Sequence, residues 1–402
     1  MSSTSVDTTI AALQELRTNP PKDTNDRLRL YNEIRRTLPA VESESNFVQR
    51  LMYGTNPMVL AGIAIDLKIF HILHADPRRS FTTAELAELT GAELGLLARV
   101  LRGLAAYDIL NETDVDSYQA SYSSQFLTNP GIEAGIRCHH HVQENFRLVI
   151  PDFLKKTEYK NPLDHDNTVW QEATGQTIWE WFAHNPEDEL NFGKFMGVQR
   201  LGQRNWWDVL PVERIFSDAG SHDVAFVDIG GSRGHQTVGL KKAFPELPGQ
   251  MIVQDLESLL SREPSLLAQL PESMPADERA VLEQIRFQPH DFFTEQPVKN
   301  AKVYYLRNIL HDHADERCET ILKRTHDAMG DGGVLMIDEL VLPNKGATWQ
   351  SIQMDITMML LSSIERTRRD WESLLDRSGF VIEQIWTLDE ETCYSVMLCR
   401  KK

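Results

Sequence analysis

The sequence predicts a two-domain α/β protein: a mostly helical N-terminal half with a winged-helix-like outline, then a doubly wound, mostly parallel sheet in the C-terminal half. Three observations predict it. The chain has 402 residues, more than one hydrophobic core usually serves. Apolar residues recur at helical spacing through the first half. From Ala225 onward short apolar runs alternate with helical patterns, and the first run enters a glycine-rich loop.

Residues 1–40 are mostly polar, but Leu30, Ile34 and Leu38 recur every four residues among Arg27, Arg29, Glu33, Arg35 and Arg36. That spacing predicts an amphipathic helical arm able to pack on a partner subunit. Residues 41–130 read as a compact winged-helix-like domain. Its apolar run from Met58 to Leu73 is interrupted by Asp66 and Lys68 and falls short of the roughly 20 apolar residues a membrane span needs, so it reads as a buried helix. Thr82 or Thr83 can cap the next helix, with Glu85 in its first turn. A further helix near Leu94 to Ala106 precedes turn residues at 111–118 that suggest a small β-wing.

Residues 131–210 carry Trp179, Phe182, Phe192, Phe195 and Met196 at helical spacing, broken at Pro151, Pro162 and Pro186, as in a helical bridge that walls a pocket. Residues 211–402 form the sheet domain. Strands are expected at Ala225 to Ile229, Gln250 to Gln254, near Ile285 to Gln288, Lys302 to Leu306 and Val334 to Ile337. A hairpin-like pair at Val381 to Leu388 and Tyr394 to Leu398 closes the chain as an antiparallel edge.

Composition narrows the partners. With 59 acidic against 41 basic residues and a net charge of −18, the chain lacks the concentrated Lys and Arg that phosphate backbones require. A helix-turn-helix with a wing usually suggests DNA, but Ala92 to Arg102 offers only Arg99 and Arg102 as bases, offset by Glu93, so no nucleic-acid partner is expected. The four cysteines show neither CxxC pairs nor zinc spacing with histidines, which predicts reduced thiols and no metal. The first residues lack the basic and apolar regions of a signal peptide; a cytoplasmic enzyme is expected.

The first strand of the sheet ends near Asp228 and runs into Gly230, Gly231 and Gly234. Glycine lets the backbone turn sharply and approach a ligand at the strand's carboxyl end. A dinucleotide fingerprint, G-x-G-x-x-G, counted from Gly230 meets Ser232 and His235 in place of its other glycines. An acid followed by G-x-G-x-G fits better, because Asp228, Gly230 and Gly234 match and only Ser232 departs. A pyrophosphate favours helix N-termini without acids, whereas a sulfonium cofactor with an amino group favours nearby carboxylates. Asp255, ending the second strand beside Leu256, can accept two ribose hydroxyls. Asp291 can take the adenine amino group, with Phe292 against the ring. Each acid alone could be a turn or cap residue; their placement at successive strand ends points to S-adenosyl-L-methionine.

After the fourth strand comes Arg307-Asn-Ile-Leu-His311-Asp-His313, after the fifth Asp338-Glu339, and later Glu365-Arg-Thr367. In order and spacing these motifs, with the glycine loop, resemble the class I S-adenosylmethionine-dependent O-methyltransferases of the plant caffeic-acid and flavonoid type and their fungal secondary-metabolite relatives. The resemblance covers nearly the whole chain. It implies a Rossmann-like catalytic domain, an N-terminal dimerisation domain, a homodimer, Leu256 and Arg307 at the cofactor with the loop and strand-end residues above, His311 as general base, and Glu339 and Glu365 as the carboxylates that orient it. The chemistry is consistent: a phenol with pKa about 10 needs a base, and an imidazole near 6.5 can take its proton. A carboxylate on the other ring nitrogen fixes the tautomer. Taken singly, His311 could be a capping histidine and Glu365 an exposed partner of Arg366 or Arg368.

Two residues depart from the family pattern: Ser232 replaces a glycine, and His313 replaces a tryptophan. Some fungal members of the resembling family bind the cofactor without methylating, and catalyse dehydration or pericyclic ring closure by polarising carbonyls. Here Arg307 and the triplet His139, His140 and His141 could supply such groups. A small-molecule substrate could be lined by Trp179, Phe182, Met196, Met354 and Met358, although residues of these types at helical spacing also build plain cores.

Overall fold

A computed structural model of the chain describes residues 3–140, 144–200, 202–221, 223–262, 268 and 274–402, and divides into two compact units, 1–129 and 130–402. His141 lies outside the described residues.

In the first unit, helices Ser3–Thr18 and Thr24–Val41 precede Glu44–Met52. Asp23 and Ser43 cap the second and third by accepting the N–H groups of Asp26 and Asn46. The amphipathic arm is present as a helix, yet none of the residues of Thr24–Val41 is buried. The expected single helix across 58–73 is two, Asn56–Asp66 and Ile69–Ala75, because Lys68 adopts a left-handed conformation at φ +57° and turns the axis by 68°. Among the described residues no single helix is long and apolar enough to cross a membrane.

Helix Thr83–Thr90 opens with a reciprocal cap: Thr82 Oγ1 accepts the Glu85 N–H at 3.2 Å while Glu85 Oε2 accepts the Thr82 N–H at 2.7 Å. Helix Leu94–Ala106 buries Leu97, Val100, Leu101 and Leu104. The wing is strands β1 (Phe81–Thr82), β2 (Leu110–Asp114) and β3 (Ser117–Ala120), ordered β1-β3-β2 and antiparallel.

The second unit begins with helices Pro130–Cys138, Glu144–Arg147, Ile150–Lys156, Val169–Thr174, Ile178–His184 and Pro186–Met196. Its sheet contains β4 (Val224–Ile229), β5 (Gln250–Asp255), β6 (Arg286–Pro289), β7 (Val303–Arg307), β8 (Val334–Leu340), β9 (Phe380–Thr387) and β10 (Tyr394–Lys401). The order is β6-β5-β4-β7-β8-β10-β9; the first five are parallel, and β10 runs antiparallel to both neighbours. This is the Rossmann-like sheet with its antiparallel edge.

Alternation along each strand divides its side chains between two faces. Phe226, Val303, Tyr305 and Met336 pack with Trp206 and Phe216 on one; Val227, Tyr304, Leu335 and Ile337 pack with Ile321, Leu322, Trp371 and Leu374 on the other. From β4 the chain winds outward to β5 and β6, then crosses back to β7. The carboxyl ends of β4 and β7 therefore flank the topological switch point, where a crevice forms in sheets of this kind. Asp228, Arg307 and Glu339 all lie at or near these carboxyl ends.

Candidate active site

At the end of β4 the N–H groups of Gly230 and Gly231 both donate to the Gln254 carbonyl, at 2.8 and 3.0 Å, curling the loop back onto β5. Gly230 and Gly234 have φ of +73° and +83°. Side chains would not fit: a Cβ at Gly230 would lie 2.5 Å from Ile309 Cδ1, and one at Gly231 2.6 Å from Asp228 Cγ. Ser232 accepts a left-handed φ of +50°, and its N–H donates to Asp255 Oδ2 at 2.8 Å. The serine departure thus preserves the loop's turn rather than breaking it.

The strand-end acids have distinct surroundings. Asp228 is buried; burial raises its pKa to about 6, partly opposed by the 2.7 Å hydrogen bond from Thr237 Oγ1. Asp255 is raised by burial too, while the N–H groups of Leu256 and Ser232 pull the other way. The Leu256 side chain is exposed. Asp291 is exposed and its Oδ1 accepts the Phe293 N–H at 2.9 Å, an Asx turn that presents Phe292. Phe292 lies near Gly230 and packs edge-on against His313 at 5.9 Å.

His313 fills the tryptophan's place as an aromatic ring among Phe292, Phe293 and His165. Burial first, then Arg317 and His165, hold its pKa down at about 3, so it stays neutral. A glycine cradle closed to any Cβ, a buried aspartate beneath it and an aromatic cluster beside it fit S-adenosyl-L-methionine. Asp228, Asp255 and the glycine loop would hold its polar half.

His311 sits in a short turn, Leu310–Asp312, just after β7. Three groups clamp that turn. Glu339 Oε1 accepts the N–H groups of Ile309 and Leu310, both at 2.9 Å. The His311 carbonyl accepts the Ile364 N–H at 3.0 Å. Arg366 donates to the Leu310 and His313 carbonyls and pairs with Asp315 at 2.8 Å. Glu365 is therefore no exposed partner of Arg366 or Arg368, which pair with Asp315 and Glu372; it is buried, and its Oε1 lies 2.9 Å from His311 Nδ1.

Glu339 Oε2 is 3.9 Å from the same nitrogen, and Asp312 Oδ1 is 3.5 Å from Nε2. Burial alone would lower the imidazole's pKa, but the fields of Glu339, Asp312 and Glu365 overcome it and raise the value to about 10. The potential ligand atoms of His311, Glu339 and Glu365 lie within 4.8 Å of one another.

The sequence reading missed Arg200. This partly buried side chain donates to Asp338 Oδ1 at 2.7 Å and Asn308 Oδ1 at 2.9 Å, and stacks over Tyr394 at 3.6 Å. Tyr305 donates to Asp338 Oδ2 at 2.5 Å, and Arg307 Nε lies 3.5 Å from the same oxygen. Asp338, the acid before Glu339, thus gathers two guanidiniums and a phenol. Arg200 follows a helix whose spacing carries no sign of this partnership; a lone arginine after an apolar helical run was the sole available signal.

The residues expected to line a substrate differ in exposure and partners. His139 Nδ1 lies 2.8 Å from the Gly135 carbonyl and its ring packs edge-on against Phe195; His140 is exposed. Trp179 is 71% exposed and Met196 37%, whereas Phe182 is buried against Phe192. Met354 is half-buried and Met358 buried, on helix Trp349–Met359.

Family models match both parts of the chain. One for an O-methyltransferase domain covers residues 157–381, and one for an O-methyltransferase dimerisation domain covers 40–129. Demethylsterigmatocystin 6-O-methyltransferase of Aspergillus flavus is 33% identical over 366 residues, covering 90% of each chain. O-methyltransferase lepI of the same species is 33% identical over 390 residues, covering 94% of this chain and 95% of the relative. Among solved structures, a protein described as a pericyclic reaction enzyme superposes with a TM-score of 0.86 at 29% identity, and LepI in complex with SAM gives the same values; both cover 100% of each chain. OxaC in complex with SAH and oxaline has a TM-score of 0.79 at 25% identity, covering 99% of this chain and 98% of that one.

Proposed function

Because this chain belongs to the O-methyltransferase family, an S-adenosyl-L-methionine-using group of enzymes, we propose that it methylates a hydroxyl of a small aromatic or polyketide-type secondary metabolite, with His311 as general base. The observation that carries this reading is the 2.9 Å bond between His311 Nδ1 and Glu365 Oε1. It fixes the tautomer and leaves Nε2 to receive the acceptor's proton while Glu365 stabilises the resulting imidazolium. S-adenosyl-L-methionine supplies the methyl group to the acceptor oxygen. The chain's own task is positioning: the glycine loop, Asp228 and Asp255 orient the cofactor, and the clamped turn holds the imidazole. The dimerisation domain and the unburied arm helix support a homodimer.

A second reading has its own support. The three carboxylates around His311 favour a charged ring that donates rather than accepts, Arg307 stands four residues before it, and the chain superposes at TM-score 0.86 on a pericyclic reaction enzyme. In that reading His311, Arg307 and the His139 to His141 segment polarise a carbonyl, and the cofactor remains a bound cation. Incubation with methyl-labelled cofactor and a panel of phenolic and polyketide compounds separates the two. Label in product supports methyl transfer; a changed product without label sinks it in favour of the second reading.

A further inference from the structure

His311 is backed by two carboxylates, and the geometry treats them unequally. Both side chains are 0% exposed. The Nδ1 hydrogen has one recipient within bonding distance, Glu365 Oε1; Glu339 Oε2, at 3.9 Å, is out of range. Glu339 Oε1 is satisfied by two backbone N–H groups, yet among the described residues its Oε2 has no hydrogen-bond partner, and neither has Glu365 Oε2. Two buried carboxylates thus present bare oxygens around one imidazole, with the cluster's donor atoms within 4.8 Å of one another.

The other groups packed there do not relieve this. On the strand of Glu339, Asp338 faces Arg200 and Tyr305. In the turn, Asp312 adds a further acid, about half exposed. Next to Glu365, Arg366 is engaged by Asp315 and backbone carbonyls, and Asp355 accepts the Glu365 N–H. On β10, the register partner Ser395 is uncharged. Carboxylates that share a dry site do not both ionise; one keeps its proton.

We propose that Glu339 is a neutral carboxylic acid with its proton on Oε2, and that Glu365 alone is the charged partner of His311. A proton there removes one of the two charges that would otherwise share the dry site. It also leaves Glu339 Oε1 free to hold the Ile309 and Leu310 N–H groups, so Glu339 acts as a positioning residue. Burial, followed by the charge of Glu365, pushes Glu339 up to about 7 against the pull of His311, in keeping with this arrangement. With Glu339 neutral, the imidazole faces one buried charge instead of two, so its second proton is held less tightly than both charges would hold it. That consequence rests on the reading of His311 as base; the test needs no substrate, so its failure is distinguishable from a failure of methyl transfer.

The experiment uses the full chain labelled with 13C at glutamate carboxyls and saturated with S-adenosylhomocysteine. A carboxyl signal with a midpoint near pH 7, rather than the ordinary value of about 4.3, is expected in the wild type. Glu339→Gln should remove it yet keep the downfield imidazole N–H resonance of the His311–Glu365 bond, identified by its loss in His311→Asn. Glu365→Gln should abolish that N–H resonance. The proposal is overturned if every wild-type glutamate titrates as an ordinary acid, a result that stands even if a variant does not fold. It is equally overturned if Glu365→Gln, and not Glu339→Gln, removes the near-neutral carboxyl.

Discussion

Ser232 shows how one residue can depart from a family pattern without undoing its geometry. Its φ of +50° is one that glycine adopts freely and other residues adopt at a cost of about 1–2 kcal/mol. Ser232→Gly should therefore be tolerated, its relief of strain largely offset by the greater freedom of unfolded glycine. Ser232→Val, β-branched, should lose about 1–3 kcal/mol in a denaturant titration and weaken binding of S-adenosylhomocysteine by calorimetry. Equal stability of the valine variant would refute the strain argument.

His311 provides the pH test at the same scale. Its pKa is raised, against burial, by Glu339, Asp312 and Glu365, so the folded state holds a proton that the unfolded state releases earlier. The stabilisation is fully present below the unfolded value of about 6.5 and is lost as pH rises from there toward about 10. Melting temperatures of wild type and His311→Gln should converge across that window; a constant difference would contradict it. In labelled-methyl assays, removing the base should lower kcat by roughly 10²–10⁴.

Among the elements, the reciprocal Thr82–Glu85 cap was legible because a threonine, then an acid three residues on, then an apolar run is a local signal. Thr82→Ala should cost about 1 kcal/mol in equilibrium unfolding, and no change would mean the helix start is fixed by packing instead. The break at Lys68 was not legible. An apolar run with one lysine reads as continuous, and the left-handed residue is selected by burial of Ala64 and Ile65 on one side and Ile69 and Phe70 on the other. In helix Arg368–Arg377, Trp371 is fully buried and its Nε1 donates to the Leu340 carbonyl at 2.9 Å, tying the helix to the strand that carries Glu339. Trp371→Ala should lose about 3–5 kcal/mol.

For the whole molecule, the arm is an element whose apolar face the chain leaves unburied. Leu28, Tyr31, Ile34, Leu38 and Val41 are all exposed on helix Thr24–Val41. Side chains of this size gain about 1.5–3 kcal/mol each on full burial, so a second copy covering them would be held firmly. Light scattering should report a dimer for the full chain and a smaller species when residues 1–41 are removed; a monomeric full-length protein would refute the homodimer.

The sequence by itself determined the alternation of strands and helices and the glycine loop, because periodicity and turn chemistry are local properties of the chain, while its resemblance to the O-methyltransferases pointed to His311, Glu339 and Glu365. Only the tertiary structure decided which groups meet. Glu365, 54 residues after His311, reaches its Nδ1, while Glu339 spends one oxygen on the turn's backbone. Arg200 and Asp338, 138 residues apart, become partners. Such pairings depend on how distant segments pack around the carboxyl end of the sheet, and on burial, which makes each unpaired charge costly and so sets which acid keeps its proton.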